Sequence, residues 1–173
     1  DCSGGEEGKV YEGIIPFAIN KTDISGLKKP EVKIMMNIGD PSRAFNLSFI
    51  PNDGVGLARE EFIIANHIKI HPLALINYKN LPDPLREEID KLTLGYHDKI
   101  QFYIDKLAEG IGKIGSAFYP KPVIVRFSDF KTNEYRSLVG GELYELEEEN
   151  PMLGFRGASR YYNKKFKEAF ILE

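Results

Sequence analysis

The stretch KPVIVRFSDFKTNEYR, residues 121–136, decides how the chain folds. Pro122 to Val125 form an apolar run of strand length and read as a fully buried strand. Arg126 stands directly at the end of that run, with Ser128 and Asp129 close behind. A guanidinium does not lose its proton, so burying one without an anionic partner is costly. An anion is expected to meet Arg126.

The same pattern recurs upstream. VGLAR (55–59) is a second short strand that also ends on an arginine, Arg59. KIMMNI (33–38) is a third apolar run and reads as a buried strand. Between them, Gly39, Asp40 and Pro41 give a turn, an N-cap and a first-turn proline, which predicts a helix in SRAFNLSFI. EEFIIANHI (60–68) reads as a helix with acidic residues in its first turn. Residues 83–114 read as the clearest helix, capped by Asp83, started by Pro84 and stopped by Gly110 and Gly112. A polar loop with five glutamates between Glu142 and Glu149 follows the 122–127 strand, then a helix from about Ser159 to the end. Short apolar strands alternating with helices predict an α/β fold with a parallel sheet and helices outside it. Ahead of this alternation, DCSGGEEG reads as flexible, VYEGII (10–15) as a short strand, and residues 20–31 as a linker.

At 173 residues the chain fits one ordinary domain. A net charge of −3 argues against a broad nucleic-acid-binding face, so any basic function must be local. No stretch approaches the ~20 apolar residues of a membrane span, and no charged-then-apolar leader opens the sequence. The single cysteine, Cys2, allows neither an intrachain disulfide nor a cysteine-based zinc site. A cytoplasmic protein with no membrane or nucleic-acid partner is expected.

In parallel α/β folds ligands bind at the carboxyl ends of the strands. Arg59 and Arg126 share that address and carry planar forks suited to phosphate and carboxylate. Two readings stand side by side. Each arginine pairs with a nearby carboxylate, Glu60, Glu61 or Asp129, or the two together hold a small multiply charged anion. Arg156, flanked by glycines in LGFRG, is a weaker third candidate, and Arg160 is the alternative for an inward-pointing side chain. His67 and His71 have the four-residue spacing of a helical metal pair, but Pro72 and the lack of a third ligand favour helix-end roles. His97 reads as a surface or boundary residue. The glutamate run lacks the pattern of a calcium loop and reads as solvated. PNDGVG has no Gly-Lys-Ser/Thr to complete a phosphate loop.

Three blocks carry a resemblance: KIMMNIGDPSRAFNLSFIPNDGVGLAREEFIIANHIKIHP, PVIVRFSDFKTNEYRSLVGG and EEENPMLGFRGASRYY. Together they resemble the phosphoenolpyruvate synthases (pyruvate, water dikinases) over nearly the whole chain. The sister enzymes, pyruvate, phosphate dikinase and enzyme I of the sugar phosphotransferase system, share the shorter signatures GVGLxRxEF, VIVR and NPxLGxR. Their fragments are the alternative reading, as is a non-catalytic, self-associating piece. The resemblance implies a phosphotransferase that makes phosphoenolpyruvate from pyruvate, ATP and water, giving AMP and phosphate, through a phosphohistidine. It makes residues 1–28 a lead-in from the phosphohistidine domain and 29–173 the first three or so strands of a (β/α)₈ TIM barrel. It assigns substrate binding to Arg59 and Arg126, with Arg156 near the phosphoryl group. It implies Mg²⁺, with ligands beyond Glu173, and places the family's cysteine beyond Glu173 too, so no catalytic residue is expected in this stretch. The partners it implies are phosphoenolpyruvate or pyruvate and the rest of the parent chain. A barrel of this type needs about 250 residues, so three strands with open edges are expected to associate as a homo-oligomer.

Overall fold

The computed structural model describes residues 8–23, 26–150 and 154–173. It divides into two units, Asp1–Val32 and Lys33–Glu173. The described part of the first unit contains no helix or strand, so the strand expected at 10–15 does not form. Its apolar residues, Val10, Ile14 and Phe17 among them, are exposed, and a lone strand with no paired neighbour has nothing to stabilise it. The flexible reading of the opening residues falls on 1–7, outside the described residues.

The second unit is α/β. Strands β1 (Met36–Ile38), β2 (Val55–Arg59) and β3 (Val123–Arg126) form a parallel sheet in the order β1-β2-β3. Between β1 and β2 the chain makes a 3₁₀ turn, Pro41–Arg43, that runs into α1 (Ala44–Ser48). Asp40 caps that turn by accepting from the Ser42 backbone N–H at 2.9 Å, as the sequence predicts. Between β2 and β3 lie α2 (Glu61–Ile63) with a π turn (Ile64–Ile68), α3 (Pro72–Ile76), α4 (Asp83–Leu92) and α5 (Lys99–Phe118). After β3 come α6 (Thr132–Arg136), α7 (Ala158–Tyr161) and α8 (Lys167–Phe170).

Several expectations are corrected. The single helix over 83–114 is two, because Gly95 takes a positive φ of 88° and Asp98 caps a new helix by accepting from the N–H groups of Ile100 and Gln101. Asp83 is the first residue of α4, with Pro82 in the cap position. Gly110 and Gly112 do not stop α5, which runs on to Phe118. Gly110 is there for packing: a Cβ on it would meet Ile63 Cδ1 and Cγ2 at 2.8 Å. Finally, Pro122 to Val125 are not fully buried, for Ile124 is 55 % exposed. Likewise only Ile38 of the KIMMNI run is buried. β1 and β3 are the outer strands of a three-stranded sheet, so their residues are covered on one side. The C-terminal helix is also two short pieces, α7 and α8, rather than one.

Helix α5 ties the unit together. Its first half, through Phe102, Tyr103 and Leu107, packs into a core built from Ile63, Ile64, Ile68, Leu73, Leu75, Tyr135 and Phe166. Its second half, through Ile114 and Phe118, packs with Ile38, Val55 and Ala58 of the sheet. One face of the sheet is thereby buried against α5, and the carboxyl ends of β2 and β3 are left facing the segments that follow them. Among the described residues no helix is long and apolar enough to cross a membrane.

Candidate anion-binding site

β2 and β3 end together. Arg59 and Arg126 are register partners across the two parallel strands, so their backbones lie about 4.8 Å apart and their side chains leave the sheet on the same side. Both line one cavity of about 370 Å³, and Arg156 lines it too. Three guanidinium groups separated by up to 97 positions in sequence therefore share one space, and Lys131 adds a fourth cationic residue.

The neighbours position each arginine differently. Arg126 is bonded to Glu61 and lies 3.4 Å from Asp129, yet its side chain remains 41 % exposed. Arg156 makes a two-pronged contact with Asp129, Nε to Oδ1 at 3.1 Å and Nη2 to Oδ2 at 2.9 Å. The bonds from Arg156 hold the Asp129 carboxyl below the usual carboxylate range. Gly157 makes that approach possible: its φ is +55°, and a Cβ there would sit 3.3 Å from Asp129 Oδ1. Arg59 stands apart. Among the described residues no carboxylate pairs with it, and its guanidinium stacks over the Phe62 ring at 4.9 Å. The Nε atoms of Arg59 and Arg126 are shielded from solvent without a hydrogen-bond partner. Among the described residues, the site is thus a partly neutralised cluster that keeps uncommitted donors and one guanidinium without a carboxylate partner at a cavity.

The ion-pair reading of the strand-end arginines holds for Arg126. Glu61 and Asp129 pair with Arg126, while Arg59 has no carboxylate partner among the described residues. Glu60 is not a partner. It is buried, and its carboxyl faces that of Glu173. Glu173 accepts from the Ser128 N–H at 3.1 Å and from its hydroxyl at 2.5 Å, and Ser128 Oγ in turn meets Tyr135 Oη at 2.6 Å. Burial, reinforced by the Glu173 charge, pushes Glu60 up to about 9. The sequence shows both glutamates but gives no sign that residues 60 and 173 meet.

A second cluster lies behind the site. Arg160, the alternative inward-pointing arginine, is fully buried and grips Glu145 with both ends of its fork, at 2.5 and 3.1 Å. Glu145 also meets His71 Nε2 at 3.1 Å, while His71 Nδ1 accepts from the Leu73 N–H at 3.2 Å and caps α3. The helix-end role expected for His71 holds. Burial holds its imidazole below the ordinary histidine range against the pull of Glu145. Solvation of the whole glutamate run does not hold, because Glu145 is buried here. His67 lies exposed in the π turn. Among the described residues no three His, Cys, Asp or Glu side chains are grouped to hold a metal ion. The carboxylates that line the arginine cavity are taken: Glu61 and Asp129 by arginines, Glu134 by the Lys131 N–H at 2.7 Å. The residues present do not fit a magnesium site.

Comparison with known proteins shows the family of the chain. Residues 19–172 match the model of the PEP-utilising enzyme, PEP-binding domain. The chain is 50 % identical to the phosphoenolpyruvate synthase of Aquifex aeolicus, over 99 % of its own length and 26 % of that protein's. It is 55 % identical to the phosphoenolpyruvate synthase of Synechocystis, again over 99 % of this chain and 21 % of the relative. With that of Escherichia coli the identity is 48 %, over 99 % of this chain and 22 % of the relative. The chain thus spans between a fifth and about a quarter of the length of these curated relatives. Arginines presented in register at two strand ends, around one cavity, belong to a chain that is a member of the PEP-utilising enzyme family and matches its PEP-binding domain.

Proposed function

We propose that this chain is the first part of the phosphoenolpyruvate-binding barrel of a phosphoenolpyruvate synthase, and that it supplies the arginines that hold the three-carbon anion. The observation that carries the reading is the register pairing of Arg59 with Arg126 at the carboxyl ends of β2 and β3, with Arg156 on the same cavity. The parallel β1-β2-β3 order, with helices between strands, fits the opening of a (β/α)₈ barrel, and residues 33–173 would be that portion.

The chemistry proposed for the parent enzyme is phosphoryl transfer between a phosphohistidine and pyruvate. The N–P bond of the phosphohistidine breaks and an O–P bond forms to the enolate oxygen of pyruvate. In this direction the methyl group of pyruvate loses a proton to a base outside these residues. Charge spreads over the phosphoryl oxygens in the transition state, and fixed cations aimed at them lower its energy. Arg59, which has no carboxylate partner among the described residues and stacks on Phe62, and Arg126, held by Glu61 and Asp129, would supply that charge. Arg156 would face the phosphoryl group. ATP, magnesium and the remaining domains belong to the rest of the parent chain, which is the proposed partner of this portion. A cytoplasmic location fits this chemistry.

Replacing Arg126 or Arg59 by alanine in the full-length enzyme tests the reading. Loss of a charge-assisted hydrogen bond, about 1.5–3 kcal/mol, is expected to weaken phosphoenolpyruvate binding by roughly 10- to 100-fold. Unchanged binding in both variants would overturn it.

A further inference from the structure

We propose that Arg160 is a positioning residue for Arg156, acting through the carbonyl of Phe155. This rests on the reading of Arg156 as part of the anion site. Phe155 immediately precedes Arg156, and its backbone is held at both polar groups. Its carbonyl accepts from Arg160 Nη2 at 3.0 Å and from Thr132 Oγ1 at 3.1 Å, and its N–H donates to Glu148 Oε1 at 3.2 Å. Arg160 is itself immobilised. Glu145 takes both ends of its fork, and the Tyr135, Phe155 and Phe166 rings stack around its guanidinium at 4.5, 4.4 and 4.8 Å. His71 fixes Glu145 in turn. Because Nδ1 of His71 accepts a backbone N–H, its Nε2 carries the proton and donates to Glu145. Arg136 Nη1 anchors the Glu145 carbonyl at 2.9 Å.

A buried ion pair adds little net stability over apolar packing of the same volume, whereas its fork fixes the direction of whatever it bonds. Beyond the Glu145 pair, Arg160 Nη2 reaches Thr132 Oγ1 at 3.3 Å and the carbonyl that sets the course of the chain into Arg156. From there the line continues through Asp129 to Arg126. The cluster behind the cavity thereby sets the aim of an arginine inside it.

The test uses Arg160→Lys, which keeps the charge but not the fork, and Thr132→Val, which at nearly constant volume removes the second bond to Phe155 O together with the Oγ1 that accepts from Arg160 Nη2. Both are made in the full-length enzyme, alone and combined with Arg156→Ala. Each is expected to weaken phosphoenolpyruvate binding about tenfold, as a displaced positioning group does, and to have no further effect once Arg156 is alanine. Hydrogen exchange of the peptide covering 154–157 is expected to rise in both, with that of α5 unchanged. Equal losses with and without Arg156, or unchanged exchange at 154–157, would overturn the proposal. If Arg156→Ala alone leaves binding intact, the anion-site reading of Arg156 fails, and exchange at 154–157 alone decides whether Arg160 holds the segment. Should Arg160→Lys not fold, Thr132→Val carries the same comparison.

Discussion

Arg59 and Glu60 are adjacent in sequence and opposite in situation. Arg59 faces an open cavity, while Glu60 is buried against Glu173. Burial raises the Glu60 carboxyl from 4.5 to about 9, so between those values the folded protein holds a proton that the unfolded chain has released. Stability then falls as pH rises through that window. Glu60→Gln mimics the protonated form and should flatten the dependence. In thermal unfolding followed by circular dichroism, the wild type is expected to lose melting temperature from pH 5 to pH 9, and the variant much less. Equal slopes would show that Glu60 ionises freely in the fold. The arginines were legible because a cation directly after an apolar run is a local anomaly. The Glu60–Glu173 contact was not, because it joins residues 113 positions apart and leaves no local mark.

At the scale of elements, the three strands were legible from short apolar runs bounded by turn residues, and the N-cap at Asp40 from its neighbour Pro41. Their burial was not, since apolar runs in outer and inner strands look alike. The break between α4 and α5 was missed because apolar spacing continues almost in phase across Thr93 to Asp98, and only the backbone of Gly95 betrays it. The glycines of α5 misled for a related reason: the sequence shows where glycine stands but not what it faces. A Cβ on Gly110 would meet Ile63 at 2.8 Å, while one on Gly112 would have nothing within 4 Å. Gly112→Ala should therefore stabilise the protein by about 0.5–1 kcal/mol, the gain in helix propensity. Gly110→Ala should instead lose about 1–3 kcal/mol from overpacking. Urea unfolding checks both, and a similar stabilisation by the two would mean that α5 and α2 do not pack as closely as found.

For the molecule as a whole, β1 and β3 each pair with β2 and with no other strand, so the sheet has two open edges among the described residues. Such edges and half-covered strands favour pairing with further chains. Produced alone, the 173-residue chain is expected to associate as concentration rises, and sedimentation velocity would show it; a single monomeric boundary from micromolar to millimolar chain would contradict that expectation. Parallel order was readable from the alternation of strands and helices. The closing of three arginines around one cavity was readable only in part. Arg156 reaches it by the turn at Gly157, and nothing in residues 156–160 alone tells which arginine points into the cavity and which into the core. On the proposed function, the ends of β2 and β3 form one anion site. This claim is tested most directly by calorimetric titration of the full-length enzyme with phosphoenolpyruvate, using phosphate and pyruvate as controls, for wild type, Arg59→Ala, Arg126→Ala and the double variant. Weaker phosphoenolpyruvate binding is expected in each single variant, and a double variant with less than the sum of the two losses, because both groups hold one ligand. Unchanged binding in all variants would show that these arginines serve only the ion pairs of the fold.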